Sequence, residues 1–112
     1  MAAAIAINNF RTITHVLTTS VTDIYTAPTG YTSVFLLIQV TNTDSQTRTC
    51  SLYHKRLSTQ TEITVNFPIP AGETASLLPG KLVLETGDKI AISGSVGTNL
   101  KFISSVLETS NF

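Results

Sequence analysis

Side chains able to act as nucleophile, base or metal ligand in this chain include two histidines, one cysteine, seven acids and a pool of 11 serines. Nucleophilic hydrolysis needs serine, histidine and acid in one hydrogen-bonded line, and the Gly-x-Ser-x-Gly elbow that presents the serine in many hydrolases is missing. Among so many hydroxyls, the mere co-occurrence of Ser, His and Asp carries no weight. A metal centre would cluster its ligands, yet His15, Cys50 and His54 are scattered. Glu73, Glu85 and Asp88 could suggest the paired carboxylates of glycoside hydrolysis, but they sit in glycine-bearing turn sequences, where acids are expected to be well solvated. Asn42, Asp44 and Ser45 of "TNTDSQT" offer oxygens to calcium; the same residues make the side-chain to main-chain bonds of a tight turn, which is the reading adopted. No phosphate-cradling or dinucleotide-binding glycine loop is present. The expectation is a noncatalytic protein with no cofactor and no metal.

One basic cluster stands out, "YHKR" at residues 53 to 56, with Arg48 expected nearby across a hairpin. It could clamp a phosphate or an acidic partner surface, with Tyr53 adding flat contact area. Charge runs more often mark a strand end entering a polar loop. Tyr53, Lys55 and Arg56 are therefore candidates for an electrostatic contact only.

Composition narrows the class further. Only 12% of residues are charged, against about 25% in an average domain. Seven basic and seven acidic residues cancel, so the field that draws a protein to nucleic acid or an anionic membrane is lacking. No apolar run approaches the roughly 20 residues of a spanning helix, and neither nucleic-acid nor membrane partners are expected. Threonine, at 19 residues, takes the place of charge and suits half-covered strand positions. A chain of 112 residues fits one core, and Cys50, the lone cysteine, excludes an intramolecular disulfide. The opening "MAAAIAINNF" has no basic leader and stops being apolar at Asn8, so it reads as a sticky arm over residues 1–10 rather than a secretory signal. Its Ile5, Ile7 and Phe10 are candidate contacts, and residues 11–112 form the single domain.

What positions these residues is a succession of strands. Period-2 patterns recur between turn signals every 8 to 12 residues or so, and no stretch sustains a helical period. Ile13, His15 and Leu17 alternate with threonines, and "APTG" closes a second strand. In "TSVFLLIQVTN", Val34, Leu36, Ile38 and Val40 form one apolar face and Phe35 and Leu37 lie opposite; a hairpin through Thr43 to Gln46 then leads to a strand with Cys50 and Leu52 inward. "TEITVNFPI" places Ile63, Val65, Phe67 and Ile69 inward, Pro68 and Pro70 end it, and Ala71-Gly72 turns a corner. Leu82 with Leu84, Ile90 with Ile92, and Leu100, Phe102 and Val106 complete the core faces. The prediction is an all-β fold, an antiparallel β-sandwich, jelly-roll-like or Ig-like, of about eight strands. Phe35, Leu37, Ile103 and Leu107 fall on faces that should be wet, so partners are expected to cover them, in a homo-oligomer or a larger assembly.

The series "IYTAPTGYTSVFLLIQVTNTDSQTRTCSLYH", "VNFPIPAGETASLLPGKLVLETGDKIAISGS" and "KFISSVLE" resembles small structural proteins of tailed bacteriophages over nearly the whole chain beyond the arm. The matching positions are Ala27, Pro28 and Gly30; Asn42 and Asp44; Ile69 to Gly72; Lys81 to Glu85 with Gly87 and Asp88; and Ser105 to Glu108. The resemblance implies a virion β-sandwich made in the host cytoplasm that binds other virion subunits of capsid, neck or tail, with a capsid decoration (cement) protein ranked first. A neck, tail or fibre adaptor, or a module binding host-surface glycan, are the alternatives. The shared positions are turns, so the resemblance carries over no functional residue.

Overall fold

In the computed structural model, which describes residues 7–111, every regular element is a strand. In chain order they are β1 (Asn8–Val16), β2 (Thr22–Thr26), β3 (Tyr31–Asn42), β4 (Arg48–Arg56), β5 (Thr59–Ile69), β6 (Thr74–Ser76), β7 (Leu82–Leu84), β8 (Lys89–Gly94) and β9 (Leu100–Ser110). β1, β9 and β3 form one sheet whose far edge is shared by β6 and β7, both paired to β3; β2, β8, β4 and β5 form the other. All pairings are antiparallel.

The pairings describe one long ribbon folded at a single tip. β1 lies against β9, β2 against β8, β3 against β6 and β7, and β4 against β5, with Arg56 opposite Thr59 across the tip Leu57–Ser58. Wound on itself, the ribbon brings β9 beside β3 and β8 beside β4. That is a jelly roll, and it decides between the two expected sandwich types.

The core lies between the sheets and is built from Phe35, Ile38, Leu52, Ile90, Ile92 and Phe102 with their neighbours, all essentially inaccessible. Tyr25 meets Phe35 edge to face, ring centroids 5.1 Å apart at 87°, the geometry that the aromatic quadrupole favours.

Two expectations about strand faces are corrected. Phe35 is fully buried rather than outward. The register of β3 against β9 shifts between Phe35 and Leu37, so a bulge at Leu36 reverses the alternation. Val34 and Leu36 consequently face out, while Phe35, Ile38 and Val40 face in. In β5, Val65 and Asn66 together oppose Ser51; Asn66 takes a φ of 50° and its N–H donates to the Ser51 hydroxyl at 2.9 Å. Val65 is thereby turned outward, whereas Phe67, opposite Cys50, remains on the inner side at the open edge of the sandwich.

The expected hairpin through Thr43 to Gln46 is also corrected: the segment is an arch joining β3 in one sheet to β4 in the other. Asn42 holds it. Its side-chain amide donates to the carbonyls of Gln46 (2.8 Å) and Ile69 (2.9 Å), and its oxygen accepts from Asp44 N–H (2.9 Å). Gly72, at a φ of 74°, donates to the Asn42 carbonyl, and Asn42 N–H donates to Glu73. The arch and the Ile69 to Gly72 corner are thus one hydrogen-bonded unit. β1 starts at Asn8, so the sheet reaches into the segment read as an arm; Ile5 lies outside the described residues.

Candidate assembly surface

Residues directly opposite in a ladder share a face. In the first sheet Phe10 opposes Leu107, Leu107 opposes Val34, and Val34 opposes Val83. Their strand neighbours Ser33, Phe35, Val106 and Glu108 point inward and are buried, so this row lies on the outer face. It crosses four strands with no charged member. Phe10 is 74% exposed and Val83 56%, and Leu107 and Val34 are half-buried between them. Leu37, opposite Ser105, adjoins the row with Leu36, and Ile103 lies further along β9. This is a contiguous apolar surface rather than scattered exposed side chains.

The outer face of the second sheet is of another kind. Tyr53, Lys55 and Lys89 project from it, and Asp23 accepts from Lys55 Nζ at 2.8 Å and lies 3.7 Å from Lys89 Nζ. Lys55, the first cause, holds the Asp23 carboxyl below its ordinary range. Arg48 does not join this group: it sits at the opposite end of β4 and pairs with Asp44 at 2.6 Å.

Arg56 and His54 turn to the end of the sandwich and meet Asp88. The Asp88 carboxylate accepts from Arg56 Nε (2.8 Å) and Nη2 (2.7 Å), His54 Nε2 (3.1 Å) and Glu85 N–H (3.0 Å). Its side chain is 3% exposed. The Arg56 guanidinium above all holds the carboxyl well below the usual carboxylate range, although burial alone would raise it. Asp88 is therefore not the solvated turn acid expected from the sequence: it anchors the β7–β8 turn, where Ala27 and residues 87 and 88 exchange main-chain bonds. With Arg56 occupied in this way, residues 53 to 56 form no single clamp.

A second buried network links the two sheets. The Tyr25 hydroxyl donates to Glu108 Oε2 at 2.5 Å and lies 2.7 Å from the Ser33 hydroxyl; Arg11 donates to the same carboxylate at 3.0 Å. Burial first, and then the Glu108 hydrogen bond, push the Tyr25 hydroxyl up to about 12. Nothing in the spacing of Arg11, Tyr25 and Glu108 announced this network, because the ribbon brings together residues far apart in the chain. Tyr25 is buried, and Tyr53 is on the opposite sheet from the apolar row.

Of the sequence candidates, Phe10, Leu37, Ile103 and Leu107 share the outer face of the first sheet, with exposed Ile7 just before β1. Tyr53 and Lys55 lie on the second sheet, Arg56 at its end, and Phe35 in the core. The missed members are Val34 and Val83. Val83 was legible as the residue between inward Leu82 and Leu84. Among the described residues, no three His, Cys, Asp or Glu side chains gather as a metal site.

No protein-family model matches the chain, and no curated protein does. Its fold does recur. A chain of Bacillus endospore appendages, described as disulfide-linked pili, is similar over 98% of this chain and 96% of its own, at 11% identity and a TM-score of 0.57. A chain in the structure of infectious bursal disease virus, Gt strain, aligns with 98% of this chain and 32% of its own, at 15% identity and a TM-score of 0.41.

Proposed function

We propose that this protein is a noncatalytic structural subunit of a bacteriophage virion, acting as a capsid decoration protein that docks on neighbouring virion subunits through the outer face of the β1-β9-β3-β7 sheet. The observation that carries the reading is the uncharged row Phe10, Leu107, Val34 and Val83, which crosses the sheet and leaves apolar surface in water. Covering it would contribute about 25 cal/mol per Å² of apolar area. A surface without charges would do so with little desolvation penalty. The spore-appendage chain that shares the fold belongs to pili, which gives a precedent for this framework in an assembly.

The test has two parts. Immunogold electron microscopy of purified particles should place the protein on the capsid shell. Purified protein should then bind particles lacking it, and Val83→Asp and Leu107→Asp should bind at least tenfold more weakly with unchanged melting temperature. Absence from particles would overturn the structural assignment, and a neck or tail position would overturn decoration. Undiminished binding by both variants would overturn the docking face.

A further inference from the structure

The sandwich has edges at β1, β2, β5 and the β6–β7 side, and three are blunted in ways that deter pairing with another chain. β5 carries two register shifts, Asn66 at positive φ, and Pro68. β2 is five residues long with a shift at Asp23 to Tyr25, and β6 and β7 are three residues each. β1 has none of these devices. Its nine residues keep one register with β9 from Asn8 to Val16, without proline, glycine or positive φ. Its single charged side chain, Arg11, is engaged on Glu108.

The phase of the ladder says which groups are unused. Ser110 N–H donates to the Ile7 carbonyl (3.2 Å) and Leu17 N–H to the Leu100 carbonyl (2.9 Å), so the odd residues of β1 bond β9. By alternation, the main-chain N–H and C=O groups of Asn8, Phe10, Thr12, Thr14 and Val16 point away from the sheet. Their side chains line its outer face, with Phe10 74% and Val16 44% exposed.

We infer that a second copy of this chain pairs here, β1 antiparallel to β1, about a two-fold axis at Ile13. Only even residues can form the bonded pairs. With the axis at Ile13, Phe10 meets the partner's Val16 and Thr12 meets the partner's Thr14, each pair exchanging two main-chain hydrogen bonds. An aromatic thus lies against a β-branched residue and threonine against threonine, both favourable cross-strand pairs. An axis at Thr12 would instead set Phe10 against threonine and Val16 against Asn8. The register is self-complementary, as a two-fold interface requires. It fuses the two first sheets and makes their outer faces continuous. The inference rests on the edge of β1 and is independent of where the protein sits in a particle.

Light scattering on the full chain should give twice the 12.0 kDa of one chain. Thr12→Pro removes an N–H that points away from β9, so it should halve the mass while the variant keeps the parent's far-UV circular dichroism and a cooperative unfolding transition. The double variant Thr12→Cys, Thr14→Cys should cross-link between chains on oxidation, because bonded pairs sit about 5.5 Å apart at Cα, within disulfide reach. Buried Cys50 should leave the parent chain uncross-linked. A monomeric full chain, or a dimer that survives Thr12→Pro, overturns the inference. So does a monomer that dimerises once residues 1–6 are removed, which would assign the edge to the chain's own first residues. Val83 is on the opposite edge of the sheet, so Val83→Asp should remain dimeric, and docking and dimerisation fail separately.

Discussion

Replacing Asp88 by Asn keeps the shape of the side chain and removes its charge, which isolates what the carboxylate does at the end of the sandwich. The carboxylate accepts from both Arg56 nitrogens, from His54 and from Glu85 N–H, at 2.7 to 3.1 Å, while 3% exposed. An amide retains one acceptor oxygen and turns N–H groups toward donors, so about two of these bonds are lost. Hydrogen bonds to charged groups contribute about 1.5–3 kcal/mol each. Arg56 is half-exposed, so water replaces part of its share, and the net loss should be roughly 3 kcal/mol. For a domain of this length each kcal/mol is worth about 4 °C, which puts the fall in melting temperature near 12 °C. Acid supplies the second readout. The folded carboxyl is depressed, so its contribution is full above the ordinary aspartate value of 3.8 and is lost as pH falls below it. Thermal unfolding of both proteins from pH 7 downward should therefore show a gap that narrows on acidification. A fall of less than about 2 °C at neutral pH, or a gap that persists in acid, would refute the reasoning.

Tyr25 should act at the other end of the pH scale. Its folded value is raised from 10.0 to about 12, so its contribution is complete below pH 10 and is lost as pH rises through that window, by roughly 2–3 kcal/mol. Denaturant unfolding should show this loss in the parent chain and not in Tyr25→Phe. Gly94→Ala would place a Cβ 2.7 Å from Leu100 Cδ1 and 3.2 Å from Leu17 Cδ2, both on fully buried residues, and should cost about 1–3 kcal/mol in the same assay. Gly72→Val meets no neighbour but forces a β-branched residue to a φ of 74°, so the melting temperature should fall by about 4–8 °C through backbone strain alone.

The strands were legible wherever alternation ran unbroken, as in Leu82 and Leu84, Ile90 and Ile92, and Leu100, Phe102 and Val106. They misled at bulges. An extra residue leaves no mark in a pattern of apolar side chains, so Phe35 appeared to face water and Val65 to face the core. Turn residues were recognised as turns without their partners: Asn42 and the Ile69 to Gly72 corner are 27 residues or more apart and are joined only by the winding of the ribbon. The same holds for Asp88, whose burial depends on Arg56 and His54 arriving from β4. The apolar surface was half visible. Leu37, Ile103 and Leu107 could be read from one strand at a time, whereas the row from Phe10 to Val83 exists only across four strands in register.

The open end of the ribbon, where Asn8 lies opposite Thr109, also sets how the molecule carries load. A pull that separates residues near Ile7 from those near Asn111 would open β1 from β9 one pair at a time, like a zipper, so each bonded pair resists alone. A pull along β1, directed toward the Leu17 end, would have to shear the whole ladder together. The same strand is therefore weak to peeling and strong to sliding, and a load on this protein would be resisted best when the force runs parallel to β1.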